Sequence, residues 1–463
     1  METAIETDTI ETINPVTGKK LASYEYMTDD QVETTIDKAH QAFSDWKMKS
    51  LEERAKVITA IGKELQNYKK ELSELMTDEM GKLLSQSHQE VDLCTEICNY
   101  TAKNGVQALK NEERELSEGK KGIITYAPIG IVYGIQPWNY PSYQVIRYAI
   151  VNLMAGNSVL LKHASNVTGT ALLLERIFES AGLPKGLFKA LIITHKQSEA
   201  IIKHKYVRGV TLTGSSKAGK KIGEMATAEL KKTVLELGSN DAYIILNDAD
   251  LEVAIKMCVK GRIYNNGETC IAAKRFIAVA EIYDDFKDGF VKAMQSLNLG
   301  DPTNEDSEMG PMARKDLRET LHEQVEKSVS NGAKILCGGK IPEGDGYYYP
   351  ATVLEQVHSG QPAYEDELFG PVAALIKAKD EEEAMQIAND SRFGLGGGIF
   401  SKDIERATKL AEKHFDTGMV FINSFGIAEP SMPFGGVKNS GFGREHGGFG
   451  IKEFVNVKSI IIE

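Results

Sequence analysis

Apolar residues recur at three- and four-residue spacing through AKVITAIGKELQNYKKELSELM, residues 55–76, the mark of an amphipathic helix. Residues 30–110 as a whole read as helices. The pattern changes at KGIITYAPIGIVYGIQ, residues 121–136, where β-branched residues flank Ala127-Pro128-Ile129-Gly130 and predict a hairpin. From 141 to 236 helix-like and strand-like runs alternate. SYQVIRYAIVNLMAG leads to NSVLLK, GTALLLERIFESAG to GLFKALIIT, QSEAIIKH to VRGVTLT, and KAGKKIGEMATAELKK to TVLEL. Such alternation implies a parallel sheet with right-handed crossovers, and ligands of such sheets bind at the carboxyl ends of the strands. A second alternating series starts with AYIILND at 242 and runs to about 422. It predicts a second α/β domain. IKEFVNVKSIII, residues 451–462, reads as an apolar terminal strand that would be a sticky edge if left alone, so a partner is expected for it.

A chain of 463 residues is too long for one simple core and predicts two or three domains. With 42% hydrophobic and 26% charged residues it has the composition of a soluble globular protein. The net charge of -12 argues against a nucleic-acid surface, which needs a basic stripe. No apolar run approaches the ~20 residues that span a bilayer, and METAIETDTIET at the start is acidic without an apolar signal region; the expected location is cytoplasmic. Five cysteines, Cys94, Cys98, Cys258, Cys270 and Cys337, are few and odd in number, which argues against a disulfide framework. With no C-x-x-C pair, a structural zinc site is not expected either.

Candidate chemistry starts at VTLTGSSKAGKKIGE, residues 210–224. Gly214, Gly219 and Lys220 fit the phosphate-binding pattern G-x-x-x-x-G-K, but Lys221 stands where that loop needs Ser or Thr. G-x-G-x-x-G fails as well, because residue 216 is Ser. A strand, a Gly-Ser-Ser turn and a helix still suit an anion, although an ordinary turn has the same pattern. Cys270, in the glycine-flanked polar turn YNNGETCIAAKR, has the access of a reactive thiol; a small core cysteine is the alternative. Glu236 ends a strand before glycine, a good place for a general base or merely a surface turn. Asn139, between prolines in PWNYP, offers an amide to an oxyanion or only shapes a turn. Glu367 in EDELFGPV suits a sugar hydroxyl, or is a solvated acidic turn.

IQPWNYP, LLKHASN, TLTGSSKAG, LELG, NNGETC, DELFGPV and MPFGGVKNSGFGRE occur together in an order that resembles the NAD(P)-dependent aldehyde dehydrogenase superfamily. The resemblance runs from INPVTGK at 13–19 through the terminal strand. It is closest to the bacterial succinate-semialdehyde branch, with GPMAR, NDSRFGL and FGGVKNSGFGRE in support. It implies an α/β fold with a Rossmann-type cofactor domain at 1–120 and 138–238, an α/β catalytic domain at 239–428, and a small β oligomerisation arm at 121–137 and 429–463. It implies Cys270 as nucleophile, Asn139 and the Cys270 N–H as oxyanion donors, and Glu236 as the base for hydrolytic water. For NAD or NADP it implies Lys162 at the adenosine ribose, Gly214 and Ser215 at the pyrophosphate, Glu367 at the nicotinamide ribose with Phe369 beside it, and Pro137 and Trp138 on the same wall.

Ser165 stands where NAD-specific members carry a glutamate, so the charge that repels a 2′-phosphate is missing and both cofactors are expected. Arg147 matches an arginine that holds a distal carboxylate. Tyr264 replaces a second such arginine, with Arg262 two residues earlier. Ser239, in ELGS where ELGG is usual, is expected close to the base. Glu268 is expected to raise the Cys270 pKa by like-charge repulsion, and Ala272 excludes a local disulfide with Cys270. The expected partner is an aldehyde, the expected assembly a homodimer or homotetramer. A CoA-acylating enzyme, a nucleotide-binding protein without turnover and a P-loop ATPase are the alternatives. Glu236 opposes the first and Lys221 the last.

Overall fold

The computed structural model describes residues 9–463. The acidic start of the chain, and with it the first residues of the expected cofactor domain, lie outside the described residues. The helical region 30–110 resolves into Asp29–Trp46, Leu51–Asn67, Lys69–Met80 and Leu84–Leu109. Thr28 with Gln31 and Ser50 with Glu53 form reciprocal capping boxes at the first two N-termini, each satisfying two orphan backbone donors. The single helix expected over 55–76 breaks at Tyr68, where the backbone turns to φ -94° and ψ 7°. Neither Gly nor Pro marks that break, so periodicity alone does not reveal it.

Five parallel strands and one short antiparallel strand form a six-stranded sheet in the order Gly441–Phe442, Lys232–Glu236, Val207–Thr213, Ile131–Gln136, Ser158–His163, Phe188–Ala190. The intervening helices Tyr143–Ala155, Thr168–Ser180, His195–Lys203 and Ser216–Ala228 supply the crossovers. Helix Tyr143–Ala155 is buried at every residue, packed against the long helix Leu84–Leu109 and the sheet. The second α/β unit is a seven-stranded sheet ordered Lys334–Cys337, Thr352–Glu355, Val372–Ala378, Arg275–Val279, Ala242–Ile245, Gly397–Phe400, Phe421–Ile422, parallel except at the first strand. Both series of alternating elements therefore form the parallel sheets that their pattern predicts.

The hairpin expected across Ala127–Gly130 is not formed. Lys121–Pro128 pairs antiparallel with Val455–Ile462 and Glu112–Glu115, whereas Ile131–Gln136 runs in the middle of the six-stranded sheet. A strand leaving one sheet for another carries the same β-branched pattern as a hairpin. The step between sheets is made by Gly130, at φ 140°, a region that side chains disfavour. Asn157 secures it: its Oδ1 accepts from the N–H groups of Ile129 and Gly130 at 2.8 and 3.2 Å, and its Nδ2 donates to the Phe454 carbonyl at 2.8 Å. Sheet membership therefore divides these segments differently from the expected arm. Residues 131–136 belong to the six-stranded sheet, and 441–442 extend that sheet at Leu235 and Glu236. The separate three-stranded sheet consists of 112–115, 121–128 and 455–462.

Candidate active site

Three loops at the carboxyl ends of the six-stranded sheet meet the turn that carries Cys270. Helix Leu251–Ile263 ends in a tight turn, Tyr264–Gly267, in which Asn265 and Asn266 hold left-handed φ values of 56° and 57°. Asparagine tolerates that conformation better than most residues. The turn is stitched to the PWNYP loop. The Asn139 amide donates to the Glu268 carbonyl at 3.0 Å, Asn265 Nδ2 donates to the Asn139 carbonyl at 2.9 Å, and the Tyr140 and Thr269 hydroxyls share a 2.8 Å hydrogen bond. Asn139 is therefore buried and fixed two residues from the thiol.

A cavity of about 240 Å³ opens on this junction. Cys270, Asn139, Pro137 and Trp138 line one part of it, Gly214, Ser215, Glu367 and Phe369 the other. Gln144, Thr213, Leu237, Gly238 and Leu317 complete the wall, and spacing along the chain gave no sign of these five. Ser215 caps helix Ser216–Ala228 by accepting from the Ala218 N–H at 3.2 Å, so the remaining donors of that N-terminus face the loop. Phe369 meets Trp138 edge to face, ring centroids 5.7 Å apart. Glu367 accepts from the Ser239 N–H at 3.0 Å and lies 3.4 Å from Lys274 Nζ.

Cys270 is half-buried. Its thiol is pushed up to about 12, first by burial and then by Glu367 and Asp241, against the pull of Arg147 and Lys274. Glu268 does not do this, contrary to the sequence expectation. Its carboxyl accepts from the Ala313 N–H at 3.1 and 3.2 Å, and burial holds it well above the usual carboxylate range, which favours its uncharged form. Lys274 went unread in the sequence. It is fully buried, donates to the Cys270 carbonyl at 2.6 Å and lies beside Glu367; a lysine four residues after the cysteine, behind the apolar Ile271-Ala272-Ala273, is the available signal.

Glu236 is buried at the end of its strand, and neither carboxylate oxygen has a hydrogen-bond partner among the described residues. Burial, then Glu445, raises its pKa well above the ordinary value, while Arg147 and Arg444 pull it down. Gly435, at φ 150°, passes over it so closely that a Cβ there would lie 2.7 Å from Glu236 Oε1. Ser239 is not beside this base as expected. Its hydroxyl donates to Asp241 and its N–H to Glu367, because the chain turns away after Gly238.

The two residues expected at the substrate both have partners within the chain. Arg147 is fully buried, ion-paired with Glu445 and hydrogen-bonded to the Thr213 hydroxyl at 2.8 Å. Its guanidinium lies over Phe434 and Tyr143, 4.8 and 5.2 Å from the ring centroids. Its charge is thus committed to a carboxylate of this chain rather than presented to the cleft. Tyr264 turns its hydroxyl to Gln89 at 2.9 Å and packs on Phe425 with centroids 6.1 Å apart. The side chain follows its own turn, which faces the long helix Leu84–Leu109.

Lys162 and Ser165 line a second cavity of about 380 Å³, where the neighbouring strands end. The Lys162 ammonium has no hydrogen bond or ion pair among the described residues, and burial lowers its pKa. All five cysteines are free. Among the described residues no group of three or more His, Cys, Asp or Glu could hold a metal, and no helix is long and apolar enough to cross a membrane.

Comparison with known proteins agrees with this geometry. The aldehyde dehydrogenase family matches residues 3–460. The NAD(P)+-dependent succinate semialdehyde dehydrogenase Sad of Escherichia coli (strain K12) is 44% identical over 448 residues, 97% of this chain and 96% of that one. An NADP+ succinate-semialdehyde dehydrogenase of Mycobacterium bovis is 40% identical over 455 residues, 98% and 99% of the two chains. The crystal structure of succinic semialdehyde dehydrogenase from Streptococcus pyogenes with NADP+ superposes with a TM-score of 0.95 at 36% identity, covering 97% of this chain and 99% of the other. A whole-chain match, the two parallel sheets and the cysteine cleft between them establish that this chain belongs to the aldehyde dehydrogenase family and is an NAD(P)-dependent enzyme.

Proposed function

We propose that the chain oxidises succinate semialdehyde to the dicarboxylic acid, with Cys270 as nucleophile. The observation that carries this reading is the convergence of Cys270, Asn139, the Gly214–Ser215 turn and Glu367 on one cavity. The residues fit a dinucleotide. Lys162 offers an unpaired ammonium at one cavity, Ser215 a helix N-terminus at the other, and Glu367 a carboxyl for ribose hydroxyls. When bound, the nicotinamide supplies a hydride acceptor.

The chain's own residues do the rest. The Cys270 thiol loses its proton to solvent and the thiolate adds to the aldehyde carbon. The oxyanion is taken by the second N–H of the Asn139 amide and by the Cys270 backbone N–H, which has no acceptor among the described residues. After oxidation the acyl group sits on Cys270 as a thioester, and Glu236 takes a proton from the water that releases it. Splitting one hard step into two is the gain of covalent catalysis. Asn139→Ala should lower kcat about 100- to 1,000-fold, the usual cost of one oxyanion donor, with melting temperature little changed. Steady-state kinetics beside thermal melts check this.

Substrate choice is tested by the ratio of kcat/KM for succinate semialdehyde over butanal. A ratio of at least about 10, the worth of one good charge-assisted contact, supports the acid as substrate. Arg147→Met should lower both substrates together, because the guanidinium holds Glu445. A selective loss on the acid would mean that Arg147 exchanges Glu445 for the substrate. A second reading, an aldehyde without a distal acid, is favoured by that same committed arginine and would give a ratio near one.

The arm supports assembly into homodimers or homotetramers. Val455–Ile462 is the open edge of a three-stranded sheet and exposes Val457, Ile460, Ile461 and Ile462, a pairing edge that proteins seldom leave bare.

A further inference from the structure

Gln86, Gln89 and Glu90 stand three and four residues apart in helix Leu84–Leu109 and so share one of its faces. None of them lines the cleft at Cys270, yet together they hold both segments that build it. Gln89 Oε1 accepts from the Tyr264 hydroxyl at 2.9 Å and Gln86 Oε1 from the Asn265 N–H at 3.0 Å, both in the turn that leads to the thiol. Glu90 Oε1 accepts from the N–H groups of Ser142 and Tyr143 at 2.8 and 2.9 Å, where the PWNYP loop passes into helix Tyr143–Ala155.

Ser142 does not cap that helix itself, because its hydroxyl donates to the Met76 sulfur at 3.1 Å. Glu90 replaces it from a different helix, giving orphan N–H donors an acceptor and the positive end of the dipole a negative charge. Its second oxygen is ion-paired with Lys82, and the two side chains are 1% and 0% exposed. Lys82 Nζ also lies 4.1 Å from the centroid of the Tyr140 ring, whose hydroxyl is bonded to Thr269, the residue before Cys270. In the first turn of the capped helix, Gln144 donates to Asn139 Oδ1 at 3.4 Å, which turns the Asn139 NH2 toward the Glu268 carbonyl. Sealing two charges from water costs desolvation that apolar side chains of similar volume avoid. Stability is therefore a poor account of this pair, whereas fixing a donor to within a fraction of an ångström is a good one.

On the reading that Asn139 donates to the oxyanion, we propose that Glu90 and Gln86 are positioning residues for the reaction. From one helix face they set the distance between the Asn139 amide and the Cys270 turn, and Lys82 holds Glu90 in place. They touch neither substrate nor cofactor and act only through the donor they place.

Steady-state kinetics of the full-length protein with NADP, on succinate semialdehyde and on butanal, test this in two backgrounds, wild type and Asn139→Ala. One variant is Gln86→Ala, at a half-buried position. The other is Lys82→Met with Glu90→Met, which removes both charges so that neither is left unpaired. In wild type each should lower kcat at least about 10-fold, since a small misplacement of a reacting group is that costly. The KM for NADP should stay within about 2-fold, because no cofactor contact is removed. In the Asn139→Ala background each should cost less than about 3-fold, because residues that act as a unit are not additive. Gln86→Glu keeps an acceptor for the Asn265 N–H and should stay within about 3-fold of wild-type kcat. Equal losses in the two backgrounds, an unchanged kcat in wild type, or Gln86→Glu as slow as Gln86→Ala overturns the proposal. If the variant at Lys82 and Glu90 does not fold, the two Gln86 variants decide alone. If Asn139→Ala itself turned over at the wild-type rate, the oxyanion reading would fall, and the positioning role with it.

Discussion

Cys270→Ser protein loses aldehyde oxidation by at least about 1,000-fold in kcat while its melting temperature stays near that of wild type. Serine keeps the volume and removes the nucleophile, and loss of a covalent nucleophile costs this much or more. No burst of reduced cofactor should appear in the first turnover. Wild type carries a second signature of the same sulfur. Burial pushes the thiol up to about 12, so at neutral pH the reactive thiolate is the minor form. Below that value each added pH unit raises the thiolate fraction about tenfold. Measured kcat/KM should climb through the range from pH 7 to 10, and a profile that falls across this window would remove the thiolate from the rate-determining step. Bound substrate and cofactor dry or charge the cleft further, so the free enzyme is where this pH dependence belongs.

Glu236→Gln protein should fail at the other half of the cycle. Acylation needs no base at position 236, whereas water attack on the thioester does. One equivalent of reduced cofactor per site should form in a rapid burst, after which steady turnover runs at least about 100-fold slower than wild type, the lower bound for a lost general base. Stopped-flow absorbance separates this from Cys270→Ser, which shows no burst. Glutamine also retains volume next to Gly435, so a structural defect is not expected to mimic the result. A variant that lost both the burst and the steady rate would place Glu236 in acylation instead, as the base that deprotonates the thiol.

Much of this is legible in the amino-acid sequence. Both runs of alternating helix and strand became the two parallel sheets, because continuous apolar strands bounded by amphipathic helices have few other ways to be buried. Cys270, Asn139, Gly214, Ser215, Glu367 and Phe369 share one cavity because each follows the end of a strand or helix, where loops of such sheets meet. What was not legible depended on partners distant in the chain. Nothing in YQVIRYAI announces that Arg147 spends its charge on Glu445, and nothing in NNGETC announces that the Glu268 carboxyl turns to Ala313. Ser239 was misplaced for a simpler reason: one residue of turn after Gly238 sends its hydroxyl to Asp241. The strand exchange at Gly130 was missed because alternation of side chains is blind to which sheet a strand joins.

The segment 434–445 folds back over the strand that ends at Glu236, and Ser440 clasps the Gly238 carbonyl across 202 residues of chain. During synthesis, therefore, the thiol at 270 leaves the ribosome long before the base beside it is enclosed or Arg147 receives Glu445. N-terminal regions fold first as the chain emerges, so a nascent or prematurely stopped chain holds its sulfur in an open, unfinished cleft. Enclosure of Glu236 and pairing of Arg147 thus depend on residues 434–445, well downstream of Cys270.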